Sequence, residues 1–227
     1  IGDIGITLTN NADTITFGVI SVRDTLAATN QYTPSASDEQ KDRYFILPEN
    51  ITYSVTENTG TTGNVGIMYV QGGNNSIIDY QNTYSGFDVQ AGAILDISNI
   101  QFRNAISNSK GGIINNSGIV GATTISGINN SSFVNNSAIM GGAIYNIGTI
   151  YSIANTNFTE NIVTSSREST YGGAIYNTET IGRIENVTFT KNKAVSSQYA
   201  YGGAIYNTGN IEYISASFIG NYTMGTN

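Results

Sequence analysis

The sequence predicts an all-β protein: a right-handed parallel β-helix of about seven coils, each near 30 residues, behind an N-terminal cap containing a short helix. Three observations carry that expectation. The hexapeptide GGAIYN occurs at 141–146, 172–177 and 202–207, with GGIINN at 111–116, so the starts lie 30, 31 and 30 residues apart. Between the copies runs Ile-x2-Ile-x4-Phe, as Ile94/Ile97/Phe102, Ile125/Ile128/Phe133, Ile150/Ile153/Phe158 and Ile181/Ile184/Phe189, with a copy one residue shorter at Ile211/Ile214/Phe218. Only 11% of residues are charged, against 29 Asn and 26 Gly. Solubility therefore rests on amides and hydroxyls, which suits neither a helical bundle nor a disordered chain.

The interior of the repeat decides between architectures of this period. Its apolar runs are short, are bounded by Gly, Asn, Ser or Thr, and are built of Ile, Val, Tyr, Phe and Thr, which favour strands. A four-stranded propeller blade needs roughly 40–45 residues, more than one period supplies. Stacked coils place equivalent residues above one another at the strand spacing of about 4.8 Å. Ile144, Ile175 and Ile205 then form one inward column, and Phe133, Phe158, Phe189 and Phe218 another. Asn146, Asn177 and Asn207 form a ladder in which each amide donates to the next and accepts from the last. The Gly pair suits a sharp corner or a close backbone approach. The Phe-to-GlyGly gaps differ in length, which places projecting loops at 162–171 and 193–201.

The first third carries no clean repeat. Segments 6–10 and 14–20 read as short strands. Ser21-x-x-Asp24 before Leu26 is a capping-box pattern for a helix over 21–30. Residues 33–43 read as a polar loop, and YFILPENITYSV, VGIMYVQ and SIIDY as strands of irregular first coils. The division expected is 1–84 for the cap and first coils and 85–227 for the regular repeats, in one continuous solenoid. The cap covers an open coil end, which would otherwise expose edge groups and core.

The composition narrows function. The net charge is −7 and the nine basic residues are scattered, so nucleic acid is not an expected partner. With no His and no Cys, His bases, Cys nucleophiles and the usual zinc sites are excluded. No metal, cofactor or catalytic residue is expected. Asp79, Asp88 and Asp96 are the one acidic cluster expected near the coils; they fall on different strands, whereas a glycosidase pair needs its carboxyls about 5–9.5 Å apart. Nine Asn-x-Ser/Thr sequons occur, in keeping with the abundance of those residue types. No apolar run reaches the length of a membrane helix, so no direct membrane insertion of this segment is expected.

The GGAI copies recur with Phe-x-x-Asn, at Phe133/Asn136, Phe158/Asn161, Phe189/Asn192 and Phe218/Asn221. This pairing resembles the signature of the chlamydial polymorphic membrane proteins, and more broadly the chain is similar to autotransporter passenger domains of the diffuse-adherence adhesin type. The matching part covers about 85–227. Ile113 replaces Ala and Ala105 replaces Asn in the earliest copies. The resemblance implies export through a C-terminal β-barrel, which this sequence does not contain, and a place on the bacterial outer-membrane surface. It implies an adhesive role toward a host-cell or neighbouring-cell surface protein or glycan, and self-association. The chain is read as a piece of a longer passenger. A carbohydrate-active β-helix enzyme and a purely structural surface stalk are the alternatives.

The motif copies nominate a surface. Its fourth position is always Ile, while the fifth is Asn115, Tyr145, Tyr176 and Tyr206. Strand alternation turns the uniform Ile inward and the fifth position outward. The three tyrosines are therefore expected as an exposed aromatic ridge, with Tyr171 and Tyr201 beside it on the projecting loops. Tyr offers area, rigidity and a hydroxyl, which suits recognition.

Overall fold

The computed structural model describes residues 8–10, 13–15, 26–31, 42–123 and 126–226. The chain winds as a parallel β-helix. One wall is an eleven-stranded sheet running from Arg43–Leu47 to Asn210–Ile219, and a second is a six-stranded sheet from Gly60–Thr61 to Ile205–Asn207. The second wall takes one strand from each coil, so the described residues make six turns rather than the seven expected. Residues 43–79 pair in parallel with the same wall as the later repeats, so the irregular first coils are continuous with the solenoid.

The registers stack each motif on itself. Ile114, Ile144, Ile175 and Ile205 are partners in succession, as are Asn116, Asn146, Asn177 and Asn207. The rings of Phe102, Phe133, Phe158, Phe189 and Phe218 stack with centroids 5.4, 4.8, 4.9 and 5.0 Å apart. Ile144, Ile175, Phe133, Phe158 and Phe189 are fully buried, whereas Ile205 is half-buried and Phe218 is 52% exposed, because they lie on the last coil.

Two buried amide ladders run beside this core. Asn116 Nδ2 donates to Asn146 Oδ1, Asn146 to Asn177 and Asn177 to Asn207, each at 2.6 Å. The Phe-x-x-Asn amides do more. Asn161 Nδ2 donates back to the Phe133 carbonyl and forward to Asn192 Oδ1, both at 2.9 Å. Its own Oδ1 accepts from the backbone N–H and the amide of Asn136. Asn136, Asn161 and Asn192 each bridge three coils in this way and satisfy backbone groups that a corner would leave orphaned. Ala105 cannot, yet its N–H is still met by Asn136 Oδ1 at 3.0 Å.

Corners are made by residues at positive φ. Asn50, Asn75, Asn99, Asn130, Asn155 and Asn186 form one such column, with φ between 47° and 60°. Asn tolerates this conformation better than other non-glycine residues. The last coil has no counterpart of Asn186: its register shifts there, Glu185 pairing with Ser215 and Val187 with Ala216. That explains the one-residue-shorter final copy. A second column, after the Phe strands, holds Asn104, Asn135, Glu160, Lys191 and Gly220. In the Gly pair the first residue has positive φ (Gly141 60°, Gly172 67°). A Cβ on the second would run into the backbone of the next coil, as Gly142 meets Gly173. Both roles expected of the pair are therefore filled.

At the N-terminal end the helix spans Leu26–Gln31. Leu26 and Ala27 are buried, and Asn30 Nδ2 donates to the Gly60 carbonyl at 2.8 Å, so the helix lies against the first coil. Arg43 ties it down by donating to the Asn30 carbonyl at 2.6 Å. The expected Ser21–Asp24 cap lies outside the described residues, as does Ile125. The two leading strands are Leu8–Asn10 and Asp13–Ile15, paired antiparallel.

Candidate interaction surface

The Gly-Gly-Ala-Ile-Tyr-Asn strand alternates Ile inward and Tyr outward, so register alone builds a tyrosine column. Tyr145 stacks on Tyr176 at 4.8 Å and 7°, and Tyr176 on Tyr206 at 5.4 Å and 20°. A second column flanks it, made by the residue immediately before each Gly pair. Lys110 bridges to Met140 and Met140 to Tyr171, and Tyr171 pairs with Tyr201. Tyr171 and Tyr201 stack at 5.3 Å, and Tyr171 meets Tyr176 and Tyr206 edge-on. Tyr199 stacks on Tyr201 at 6.1 Å. Six tyrosines thus form one contiguous cluster at the later coils.

The expected exposed ridge is corrected at its first member. Tyr145 points outward but is only 6% exposed. Tyr176 covers one face of its ring, and Lys110 Nζ lies 4.5 Å from the ring centroid and donates to the phenol oxygen at 3.0 Å. Tyr171, Tyr176 and Tyr206 are half-buried, and Tyr199 and Tyr201 are exposed. Because the column rings stack face to face, what they offer to solvent is edges and hydroxyls rather than open faces. Burial, followed by the neighbouring tyrosines, raises the Tyr176 phenol above its ordinary value.

The segments expected as loops are largely strands. Ile162–Ser165 pairs with Lys193–Ser196, and Thr170–Tyr171 with Ala200–Tyr201, all in parallel. Only the turns between them project, and they are cross-linked: Ser197 Oγ donates to the Ser166 carbonyl and Gln198 Nε2 to that of Arg167, both at 2.7 Å. Tyr171 and Tyr201 are therefore held by a sheet, not by a mobile loop. Lys110 and Met140 were not placed on this surface from the sequence. Both were within reach, since each directly precedes a Gly pair just as Tyr171 and Tyr201 do.

The three aspartates are held separately. Asp79 accepts from the Gln81 N–H, from Asn104 Nδ2 and from Arg103 Nε. Burial would raise its carboxyl, but these bonds and the Arg103 charge outweigh it and hold the group below its ordinary value. Asp88 accepts from Asn115 Nδ2 on the six-stranded wall, and Asp96 from the Ala122 N–H at the other. Among the described residues no three His, Cys, Asp or Glu side chains gather as a metal site, and no helix is long and apolar enough to cross a membrane.

Comparison with known proteins matches residues 155–178 and 186–208 to the Chlamydia polymorphic membrane protein repeat. Both matches fall on the coils whose Phe-x-x-Asn and GGAIYN motifs stack in register, so the resemblance read from those motifs holds. No curated protein and no solved structure matches the chain.

Proposed function

We propose that the chain is part of a bacterial surface adhesin, an autotransporter passenger segment that attaches through the tyrosine cluster of its later coils and has no catalytic role. The repeat type and the β-helix fit a surface passenger of the outer membrane. The observation that carries the adhesive reading is the contiguous, partly exposed group Tyr171, Tyr176, Tyr199, Tyr201 and Tyr206, all but Tyr199 held in paired strands. Rigid aromatic side chains bearing hydroxyls lose little entropy on binding, and such patches on a monomer mark contact sites. The acidic balance favours a cationic or neutral cell-surface protein or glycan over a second, equally acidic copy of the chain.

The test uses beads coated with the chain and cultured cells. Replacing Tyr199, Tyr201 and Tyr206 together by Ser should leave the circular dichroism spectrum unchanged and abolish most attachment. Attachment that persists at the parent level on a folded triple variant refutes the tyrosine surface.

A further inference from the structure

We propose a second binding site, for a neutral extended oligosaccharide, in a groove along the asparagine corner of the eleven-stranded wall. It needs nothing of the tyrosine surface. The groove, of about 330 Å³, crosses four coils. Its lining consists of Asn, Ser, Gln, Gly and Ile only, with no acidic, basic or aromatic side chain.

The groove has a built wall. In the strand Ile67–Asp79 the pairing with the next coil jumps from Gln71/Ser98 to Ser76/Ile100, so residues 72–75 face the single residue Asn99. This extra length stands out as a rim. It is fixed by the Asn50 N–H donating to the Asn74 carbonyl at 2.8 Å and by Ser76 Oγ donating to the Pro48 carbonyl at 2.8 Å. Gly73 lies so close to the Glu49 backbone that no side chain would fit.

The floor is a row of ordered amides. Asn130 Nδ2 donates to Asn99 Oδ1 at 2.8 Å, and Asn186 Nδ2 to Asn155 Oδ1 at 2.8 Å. Between them the ladder breaks, because Asn155 donates to Asn129 instead, at 3.1 Å. Asn130 Oδ1 is thereby left in the middle of the groove with no donor among the described residues. Each carboxamide in such a row spends one donor and at most one acceptor on its neighbours and keeps the rest for a ligand.

Ligand class follows from this chemistry. Sugar hydroxyls donate and accept at once, as these amides do, and neither side has to desolvate a charge. An anionic glycan would find no cation in the lining. A peptide would find no apolar pocket for an anchor, since Ile100 is itself buried, and no free strand edge, since the backbone here is paired between coils. The amides recur at the coil spacing, so four rungs span about 14 Å, room for a run of linked pyranoses. With no carboxylate in the lining, the site binds without cleaving.

The experiment titrates the chain with cellohexaose, with N-acetylchitohexaose and with a galacturonic acid hexamer, following side-chain amide signals by nuclear magnetic resonance. At least one neutral hexamer should give saturable shifts confined to the groove amides, and the charged hexamer none. Asn130→Gly keeps the positive φ and removes the central amide; Gln101→Ala removes a second group on the floor. Each should weaken binding tenfold or more while the melting temperature stays within a few degrees. No saturable shift with either neutral sugar, equal binding of the charged hexamer, or unchanged affinity in both folded variants overturns the proposal.

Discussion

Asn161 shows how one side chain type replaces charge in this fold. It is fully buried, donates to Phe133 and Asn192, and accepts twice from Asn136. Asn161→Ala leaves a carbonyl and an N–H buried without partners, which should cost about 2–4 kcal/mol in urea unfolding. Asn221→Ala, at the half-buried end of the same ladder, should cost about 1 kcal/mol. Equal costs would mean that the ladder is not the stabilising feature. Asp79 gives a pH signature. Its folded value lies below the ordinary 3.8, so its contribution is present above pH 3.8 and is lost as pH falls through the lowered value. Unfolding curves taken across that acid window should show the parent losing stability relative to Asp79→Asn; parallel curves would refute the assignment.

At the scale of the coil, the unfavourable positions can be read by stacking. The second corner column passes from Asn104 and Asn135, where Asn135 Nδ2 donates to Asn104 Oδ1 at 3.0 Å, to Glu160 and Lys191 at φ 55° and 54°. Long side chains gain nothing from positive φ, and their ion pair is wide, 3.9 Å, and exposed. Glu160→Asn with Lys191→Asn should therefore raise stability by about 1 kcal/mol and extend the outer ladder; a lower melting temperature would count against it. This column also shows what was legible. The Ile, Phe and inner Asn stacks could be read because core positions repeat the same residue type. The corner asparagines were hidden among the 29 of the chain, since their spacing shifts with every insertion. The burial of Tyr145 was illegible for another reason: alternation says which way a side chain points, not what its neighbours Tyr176 and Lys110 then cover. The strands at 162–165 and 193–196 looked like loops because their pairing partner is a similar insertion one coil away.

The described coils of this segment form a one-dimensional stack, covered at one side and open at the other. The first coil is covered by the helix Leu26–Gln31, whose Asn30 and Gln31 side chains donate to the Thr59 carbonyl, the Asn30 amide donating to that of Gly60 as well. The last coil leaves Ile214, Phe218 and Ile219 about half exposed (49%, 52% and 56%). In such an array each coil is stabilised by its own folding and by its interfaces, so a coil with one interface is the first to open. Amide hydrogen exchange should therefore be fastest in 205–224, slower in 175–190 and slowest in the coils holding Phe133 and Phe158. Truncation of the Phe stack should follow the same order. Phe158 is sandwiched between Phe133 and Phe189 and is fully buried, so Phe158→Ala should cost about 3–5 kcal/mol. Phe218 has a ring on one side only, and Phe218→Ala should cost less than half as much. Thermal unfolding of the two variants, with exchange measured on each, separates this picture from a single cooperative block. A block would exchange uniformly through one global opening, and Phe218→Ala would then speed exchange at 133 and 158 as much as at 211–219. In the stack, the Phe218 variant accelerates exchange only in the last two coils, while Phe158→Ala loosens both sides of the break.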